Sequence, residues 1–218
     1  MLRGDLWAKY MDLNKFIYPE SDKNVVDDFY REIWHENEYD RYFKINHGDK
    51  VIDCGAFIGM FSLYARDKGA SQIIAIEADE NRYNCLKQNC NGHPITTVHK
   101  CINDNDVDGS ISIESLLNTM GWDKADMVKM DIEGFEWPVL LNMSDETMKR
   151  VDKWAIECHI GWNKEQDYQL WEGHGIDLNG HYLSKLVHLM ERFSVNGFKI
   201  NYERTHKLYD VAMLYAYK

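Results

Sequence analysis

From residue 48 onward, short and nearly continuous apolar runs alternate with segments that have helical periodicity. A strand that is apolar at almost every position has both faces buried, which is typical of parallel sheets covered by helices. The pattern therefore predicts an α/β domain built on a parallel sheet. The predicted strands are residues 50–54, 72–77, 96–101, 127–131 and 154–158, and the helices between them are residues 59–67, 79–91, 114–120 and 135–142.

The C-terminal region does not continue this alternation of single strands and helices. Residues 182–195 have the periodicity of a helix, and residues 198–204 then alternate strictly between apolar and polar side chains. Such alternation indicates a strand with one solvated face, whereas the almost wholly apolar residues 209–217 indicate an interior strand. The last two strands are thus predicted to form a hairpin with the final strand on the inside, which places one antiparallel strand within the sheet.

The N-terminal region, residues 1–45, is predicted to be helical and amphipathic. Val25, Phe29 and Ile33 recur at helical spacing, and Asn24 is a candidate N-cap. With 218 residues, the chain has room for one domain and a short extension. We predict an N-terminal helical appendage at residues 1–47, acting as a lid or as packing, and one Rossmann-like domain at residues 48–218.

Charge and cysteine content exclude several classes of protein. The formal net charge of -11 disfavours nucleic acid and anionic membrane partners, because both require a basic surface. The five cysteines are odd in number and have no CxxC spacing, so neither a disulfide framework nor a zinc site is predicted. No apolar run at Met1–Asn14 resembles a signal peptide, and none reaches the roughly 18 residues of a membrane span. The expectation is a cytoplasmic protein.

The first chemical motif is the loop that follows the first predicted strand. Asp53 is followed by Gly55 and Gly59 in a G-x-x-x-G spacing, at the start of a predicted helix. Glycines allow a ligand to approach the backbone closely, and a helix N-terminus offers free N–H groups. A plain structural turn has the same pattern, so this loop alone is a weak signal.

An acidic residue, Glu77, ends the second predicted strand, 22 residues after Gly55. A carboxylate at this place in an α/β fold can bind both hydroxyls of a ribose. The alternative is an ordinary solvated acid at a strand end. Together with the glycine loop, Glu77 favours a ligand that contains a nucleoside.

A third motif surrounds the end of the fourth strand. Strand periodicity places Lys129, Asp131 and Glu133 on one side, at the edge where open α/β sheets bind ligands. Acids near a helix N-terminus are a structural alternative for Glu133 and Glu136. For Lys129, a buried ion pair is the favoured interpretation.

A fourth motif ends the fifth strand, where Glu157 and His159 share one face. A histidine at the carboxyl end of a strand can act as a base near neutral pH. An imidazole that is hydrogen-bonded to the backbone is an equally good structural interpretation.

The three segments Asp53-Cys-Gly-Ala-Phe-Ile-Gly59, Glu77-Ala-Asp79 and Val128-Lys-Met-Asp-Ile-Glu-Gly-Phe-Glu136 resemble the FkbM-type methyltransferases. The resemblance covers residues 48–160, and the Lys-x-Asp-x-Glu-Gly-x-Glu string is its specific part. It implies S-adenosylmethionine as the methyl donor and O-methylation of a sugar or small-molecule hydroxyl. It also implies a seven-stranded mixed sheet of order 3-2-1-4-5-7-6, with strand 7 antiparallel.

The resemblance also implies roles for individual residues. The glycine loop would contact the methionine part of the cofactor, Glu77 would hold the ribose, and the residues after the third strand would flank the adenine. Cys101 stands where a small alanine is common in the family, which departs from the pattern. The implied cofactor residues are Asp53, Gly55, Ala56, Phe57, Gly59, Glu77, Ala78, Cys101 and Ile102, with Asn103 and Asp104 beside them.

A hydroxyl acceptor requires a base, or a metal that lowers its pKa. The candidate catalytic residues are Asp131, Glu133 and His159, and together with Glu157 they could also hold Mg²⁺. We prefer the metal-free alternative, because the sequence contains no tight acidic triplet. The aromatic residues Trp162, Tyr168 and Trp171, with glycines around them, suggest a lid over a small-molecule or glycan acceptor. Packing of these rings onto the domain is an equally good structural interpretation.

Three alternatives stay open at this point. An NAD(P)-dependent oxidoreductase is disfavoured by the glycine spacing, which is not G-x-G-x-x-G. A catalytically silent S-adenosylmethionine-binding protein and an interaction module with a decayed pocket are the two alternatives outside enzymes.

Overall fold

The computed structural model describes residues 12–159, 182–204 and 211–218. Among these residues, no helix is both long enough and apolar enough to cross a membrane. The strands are β1 (Lys50–Cys54), β2 (Gln72–Glu77), β3 (Ile95–His99), β4 (Cys101–Ile102), β5 (Ser110–Ile111), β6 (Ala125–Met130), β7 (Val151–His159), β8 (Lys199–Arg204) and β9 (Val211–Tyr217). The helices are α1 (Lys23–Trp34), α2 (Met60–Lys68), α3 (Glu80–Asn89), α4 (Ile113–Thr119), α5 (Glu136–Asn142), α6 (Asp145–Lys149) and α7 (Tyr182–Val195).

Seven of the strands form one sheet in the order β3-β2-β1-β6-β7-β9-β8. Numbered by themselves, these strands have the order 3-2-1-4-5-7-6. The pairs from β3 to β7 are parallel, and β9 is antiparallel to both of its neighbours. The predicted fold class is therefore confirmed, including the hairpin whose last strand lies inside the sheet.

The period of two along each strand sends alternate side chains into two separate cores. Ile52, Ile74 and Val128 face a layer that contains α4, α5 and α7. Val51, Ile73 and Met127 face the opposite layer, formed by α1, α2 and α3. Helices thus cover both faces, which explains why the central strands carry so few polar residues.

The N-terminal region is less helical than the sequence suggested. In residues 12–45 the single α-helix is α1, and three short 3-10 turns accompany it, at Leu13–Lys15, Glu20–Asp22 and Glu38–Asp40. The helix begins at Lys23, so the prediction of Asn24 as N-cap was wrong by two residues. Helix α1 packs against α2, and its side chains Val26, Ile33 and Trp34 belong to the core of that layer.

The third predicted strand, residues 96–101, was placed partly in error. The sheet strand β3 ends at His99, and Cys101–Ile102 instead pairs in parallel with Ser110–Ile111 as a separate two-stranded ribbon. The ribbon begins two residues after the carboxyl end of β3. The change matters for function, because Cys101 and Ile102 line a cavity at the edge of the sheet.

Candidate functional site

A cavity of about 520 Å³ lies at the carboxyl edge of the parallel strands. This is the edge at which open α/β sheets bind ligands, and the volume lies in the range of small-molecule sites. Its floor comes from the ends of β1, β2 and β6, and α1 closes one side with Val25, Phe29 and Ile33. Residues from the predicted site that line it are Gly55, Ala56, Phe57, Glu77, Ala78, Cys101, Ile102, Asp131 and Glu133.

The glycine loop is shaped by close backbone contacts. Gly55 has φ +72°, and the N–H groups of Gly55 and Ala56 both donate to the carbonyl of Ile76. A Cβ at Gly55 would lie 1.7 Å from the carbonyl oxygen of Asp131. Only glycine therefore allows β1 and β6 to approach each other at this edge.

Gly59 serves a different purpose from Gly55. It has φ +91° and immediately precedes α2, and it does not line the cavity. A Cβ at this position would lie 2.7 Å from Cys90 Sγ and 2.9 Å from Leu86 Cδ1. Gly59 thus allows α2 and α3 to pack closely. Contact between Gly59 and the cofactor remains a prediction.

Glu77 organises the loop beside it. One carboxylate oxygen accepts from the N–H of Phe57 at 2.8 Å, and the other accepts from the N–H of Asp79 at 2.9 Å. Burial raises the pKa of Glu77, and the two amide donors oppose this effect. Because each oxygen can accept more than one hydrogen bond, the carboxylate retains capacity for ligand hydroxyls.

Phe57 lies between the loop and α1. It is one of the non-glycine residues with positive φ, at +52°, and its ring contacts that of Phe29 at 5.1 Å between centroids. The Arg82 guanidinium lies 5.1 Å from the same ring and is ion-paired with Asp22 at 2.9 Å. These contacts fix the N-terminal segment to the rim of the cavity.

The residues after β3 reach the cavity in part. Cys101 and Ile102 line it, with Lys100 beside them. Asn103 and Asp104 do not line it, and the Asp104 carboxylate accepts from the side chain of Asn142 at 2.7 Å. The part of the predicted adenine site that adjoins the cavity is therefore Cys101 and Ile102.

Asp53 and Lys129 form a buried ion pair between neighbouring strands. They are register partners on β1 and β6, and Lys129 Nζ lies 3.4 Å from Asp53 Oδ1. Asp53 is fully buried, accepts from Ser62 Oγ at 2.6 Å and does not line the cavity. The ion pair favoured for Lys129 is present, whereas direct cofactor contact by Asp53 remains a prediction.

Lys129 also reaches the glycine loop. Its ammonium group donates to the carbonyl of Gly55 at 2.6 Å and lies 3.8 Å from Asp131 Oδ2. Burial lowers the pKa of Lys129, but the nearby carboxylates outweigh this effect and the pKa is raised overall. The group is therefore a permanent cation that holds the loop against the end of β6.

Asp131 faces the cavity beside a residue that the sequence did not suggest. The hydroxyl of Tyr39 lies 3.2 Å from Asp131 Oδ2 and 3.1 Å from Glu157 Oε2. Tyr39 is buried and belongs to the 3-10 turn between α1 and β1. No local pattern could have identified it, because its partners lie 92 and 118 residues further along the chain.

His159 is held by two carboxylates. Its Nδ1 lies 3.1 Å from Glu136 Oε1, and its Nε2 lies 3.5 Å from Glu133 Oε2. Burial lowers the pKa of His159, but Glu136 and the other nearby acids raise it to about 10. A pKa this high favours the protonated imidazole at neutral pH, and a catalytic role for His159 stays a prediction. His159 also lies outside the cavity lining.

The geometry groups possible metal ligands differently from the sequence. Among the described residues, ligand atoms of Asp131, Glu136 and His159 lie within 4.8 Å of one another. This group includes Glu136, which the sequence did not suggest as a ligand, and it lacks the predicted Glu133 and Glu157. The Glu136 carboxylate already accepts from the N–H groups of Ile132 and Gly134. Because a metal would have to displace the His159 proton, this arrangement favours a structural role for Glu136.

Comparisons with known proteins agree on the fold. No protein-family model matches the sequence, and no curated protein matches it. Among solved structures, the chain is similar to a putative S-adenosylmethionine-dependent methyltransferase from Listeria monocytogenes, with TM-score 0.53 and 15% identity over 85% of this chain and 97% of the other.

Two further structures share the architecture. Magnesium protoporphyrin IX methyltransferase from Synechocystis, solved with bound SAH, has TM-score 0.52 and 15% identity over 95% and 90% of the two chains. A fibrillarin pre-rRNA processing protein from Methanococcus jannaschii has TM-score 0.54 and 16% identity over 81% of this chain and 69% of the other. The chain therefore has the Rossmann-like fold of S-adenosylmethionine-dependent methyltransferases.

Proposed function

We propose that this chain is an S-adenosylmethionine-dependent methyltransferase. The main support is the buried Glu77 carboxylate beside the Gly55 loop, both of which line one cavity at the ligand-binding edge of the sheet. Glu77 suits the ribose hydroxyls, and the ribbon residues Cys101 and Ile102 suit the adenine. The open backbone from Gly55 to Phe57 suits the methionine part.

The resemblance to FkbM-type methyltransferases gains support from the roles of its specific string. Lys129 holds the glycine loop, Asp131 faces the cavity, and Glu136 accepts from the backbone of the turn after β6. Glu133 and Gly134 form that turn with positive φ, at +58° and +97°. Each polar residue of the string thus shapes the same edge of the cavity.

We infer that Asp131 accepts the acceptor's proton. When bound, S-adenosylmethionine supplies an activated methyl group on a sulfonium, so the protein must align the acceptor and remove one proton. Asp131 lines the cavity, whereas His159 lies outside the lining beside Glu136, and its raised pKa favours the protonated imidazole. Glu133 lies at the exposed rim, where it can contact the acceptor.

The proposed acceptor is a hydroxyl on a small molecule or glycan. A net charge of -11 disfavours nucleic acid, although the fold also occurs in a protein named for pre-rRNA processing. Aromatic residues of the lining, such as Phe29, Phe57 and Phe135, offer faces on which a ring can pack. The predicted lid residues Trp162, Tyr168 and Trp171 lie outside the described residues.

The assignment is tested by replacing the proposed ribose ligand. We expect Glu77→Ala to weaken S-adenosylmethionine binding by about tenfold or more, because hydrogen bonds to a charged group contribute roughly 1.5–3 kcal/mol each. Isothermal titration calorimetry measures the effect. Glu80→Ala is the matched control, since Glu80 is exposed three residues further along and should bind as the wild type does. Equal binding by both variants would contradict the proposed role of Glu77.

A further inference from the structure

The chain before α1 is bonded to α3 at two points, and we call residues 16–22 the N-terminal strap. The N–H of Ile17 donates to Asn89 Oδ1 at 2.9 Å, and the carbonyl of Ile17 accepts from Asn89 Nδ2 at 2.8 Å. At the end of the strap, the Asp22 carboxylate accepts from Arg82 Nε at 2.9 Å and from Arg82 Nη2 at 3.3 Å. Because Arg82 and Asn89 are about two helical turns apart on α3, they lie on the same face of this helix.

The same two side chains of α3 also contact the glycine loop. Asn89 Nδ2 donates a second hydrogen bond to the carbonyl of Ile58 at 2.9 Å, and the Arg82 guanidinium lies 5.1 Å from the centroid of the Phe57 ring. Phe57 has φ +52°, a left-handed conformation that a bulky residue keeps only where surrounding contacts hold it. Arg82 and Asn89 therefore each bridge the strap and the turn at Phe57 and Ile58.

Helix α1, which follows the strap, contacts the same turn. Its Phe29 ring packs on the Phe57 ring and lines the cavity. Asp22 is buried and does not line the cavity, whereas its partner Arg82 does. A change at Asp22 therefore acts on a ligand in the cavity indirectly, through Arg82 and through the position of α1.

We propose that Arg82 and Asn89 are positioning residues that couple the N-terminal strap to the cofactor site. With the strap docked on α3, the turn at Phe57 and Ile58 is held in the conformation that binds the cofactor, and the bound cofactor in turn holds the strap in place. The inference rests on the proposed function, because it takes the glycine loop to bind S-adenosylmethionine. Such coupling is reciprocal, so the factor by which docking tightens cofactor binding is also the factor by which the cofactor strengthens docking.

Calorimetric titration with S-adenosylmethionine tests the coupling through Asp22→Asn, which removes the charge that anchors the strap to Arg82. We expect this variant to bind S-adenosylmethionine about tenfold more weakly than the wild type, within the usual range of coupling between sites. Asp28→Asn is the matched control, because Asp28 is exposed and its ion pair with Arg31, at 3.0 Å, lies within α1. It should change the affinity by less than about twofold, since exposed ion pairs contribute little.

Asn89→Ala tests the second bridge in the same titration. The variant loses the hydrogen bonds to both Ile17 and Ile58 and should also bind S-adenosylmethionine about tenfold more weakly. Gln88→Ala is its control, because Gln88 is the exposed neighbour on α3 and bonds within that helix. A merely structural role of Asn89 would lower the free energy of unfolding but leave the affinity of the folded protein unchanged.

Limited proteolysis of the wild type measures the reciprocal effect. Trypsin cleaves after Lys23 at the start of α1 and after Lys124 just before β6, and the two side chains are similarly exposed, at 63% and 62%. Saturating S-adenosylmethionine should slow cleavage at Lys23 by about tenfold, the same factor as in the titrations, and affect cleavage at Lys124 much less. Equal slowing at both sites would show that the cofactor opposes only global unfolding, which would contradict the coupling.

The two proposals fail in different ways. If Asp22→Asn and Asn89→Ala bind S-adenosylmethionine as tightly as the wild type does, the coupling is overturned and the proposed function is left intact. If the wild type itself does not bind S-adenosylmethionine, the proposed function is overturned.

Discussion

Gly55→Ala is expected to destabilise the protein by about 3 kcal/mol or more, at the upper end of the range for overpacked sites. The added Cβ would lie 1.7 Å from the backbone oxygen of Asp131, and a backbone atom cannot move aside as a side chain can. The strands β1 and β6 would have to separate at the edge where the cavity lies. Chemical denaturation followed by circular dichroism measures the change in the free energy of unfolding.

Gly92→Ala separates this clash from the conformational effect of the substitution. Gly92 has φ +79°, close to the +72° of Gly55, but a Cβ there would meet nothing within 4 Å. We expect it to cost only about 1 kcal/mol, as a left-handed conformation costs most residues. Equal destabilisation by the two variants would show that the approach of β1 to β6 at Gly55 is not a steric requirement.

Lys129→Met is expected to destabilise the protein by about 3–5 kcal/mol, the usual cost of removing one partner from a buried ion pair. Asp53 is fully buried and would lose its cation, and Asp131 would lose a nearby positive charge. The double variant Asp53→Asn with Lys129→Met should recover much of the loss, because no buried charge is left at that position. Denaturation of the four proteins in one double-mutant cycle measures this coupling.

The effect of Lys129→Met should depend on pH in a defined direction. In the wild type, burial already raises the pKa of Asp53, against the opposing effects of Lys129 and Ser62. Without the cation this pKa rises further. A folded-state pKa above the unfolded value gives stability that is lost as pH rises, so the variant should be least stable at neutral and alkaline pH. A deficit that stayed constant as the pH fell towards 5 would contradict this explanation.

The sheet could be predicted from the sequence because its signals are local and strong. Continuous apolar runs identified the parallel strands, and the contrast between residues 198–204 and 209–217 identified the edge and interior strands of the hairpin. The N-terminal segment and the ribbon were harder. Their conformation depends on contacts that no local pattern reveals, such as the ion pair of Arg82 with Asp22 and the hydrogen bond from the N–H of Cys101 to the carbonyl of Gly109.

The candidate site was predictable to the extent that it lies at strand ends. Gly55, Glu77 and Asp131 each end or follow a parallel strand, and topology alone brings them to one edge. Tyr39 could not be found, because only the folded chain brings its turn beside β6 and β7. The charge state of His159 was equally hidden, since it depends on Glu136, which the sequence presented as an ordinary helix N-terminal acid.

Calorimetric titration of the wild-type protein shows whether the cavity binds S-adenosylmethionine. The purified protein would be titrated separately with S-adenosylmethionine and with NADH. We predict a single site of micromolar affinity for S-adenosylmethionine and no binding of NADH, equivalent to a binding free energy of about -8 kcal/mol for the former. Binding of NADH alone would support the oxidoreductase alternative, and binding of neither would contradict the account and indicate an interaction module.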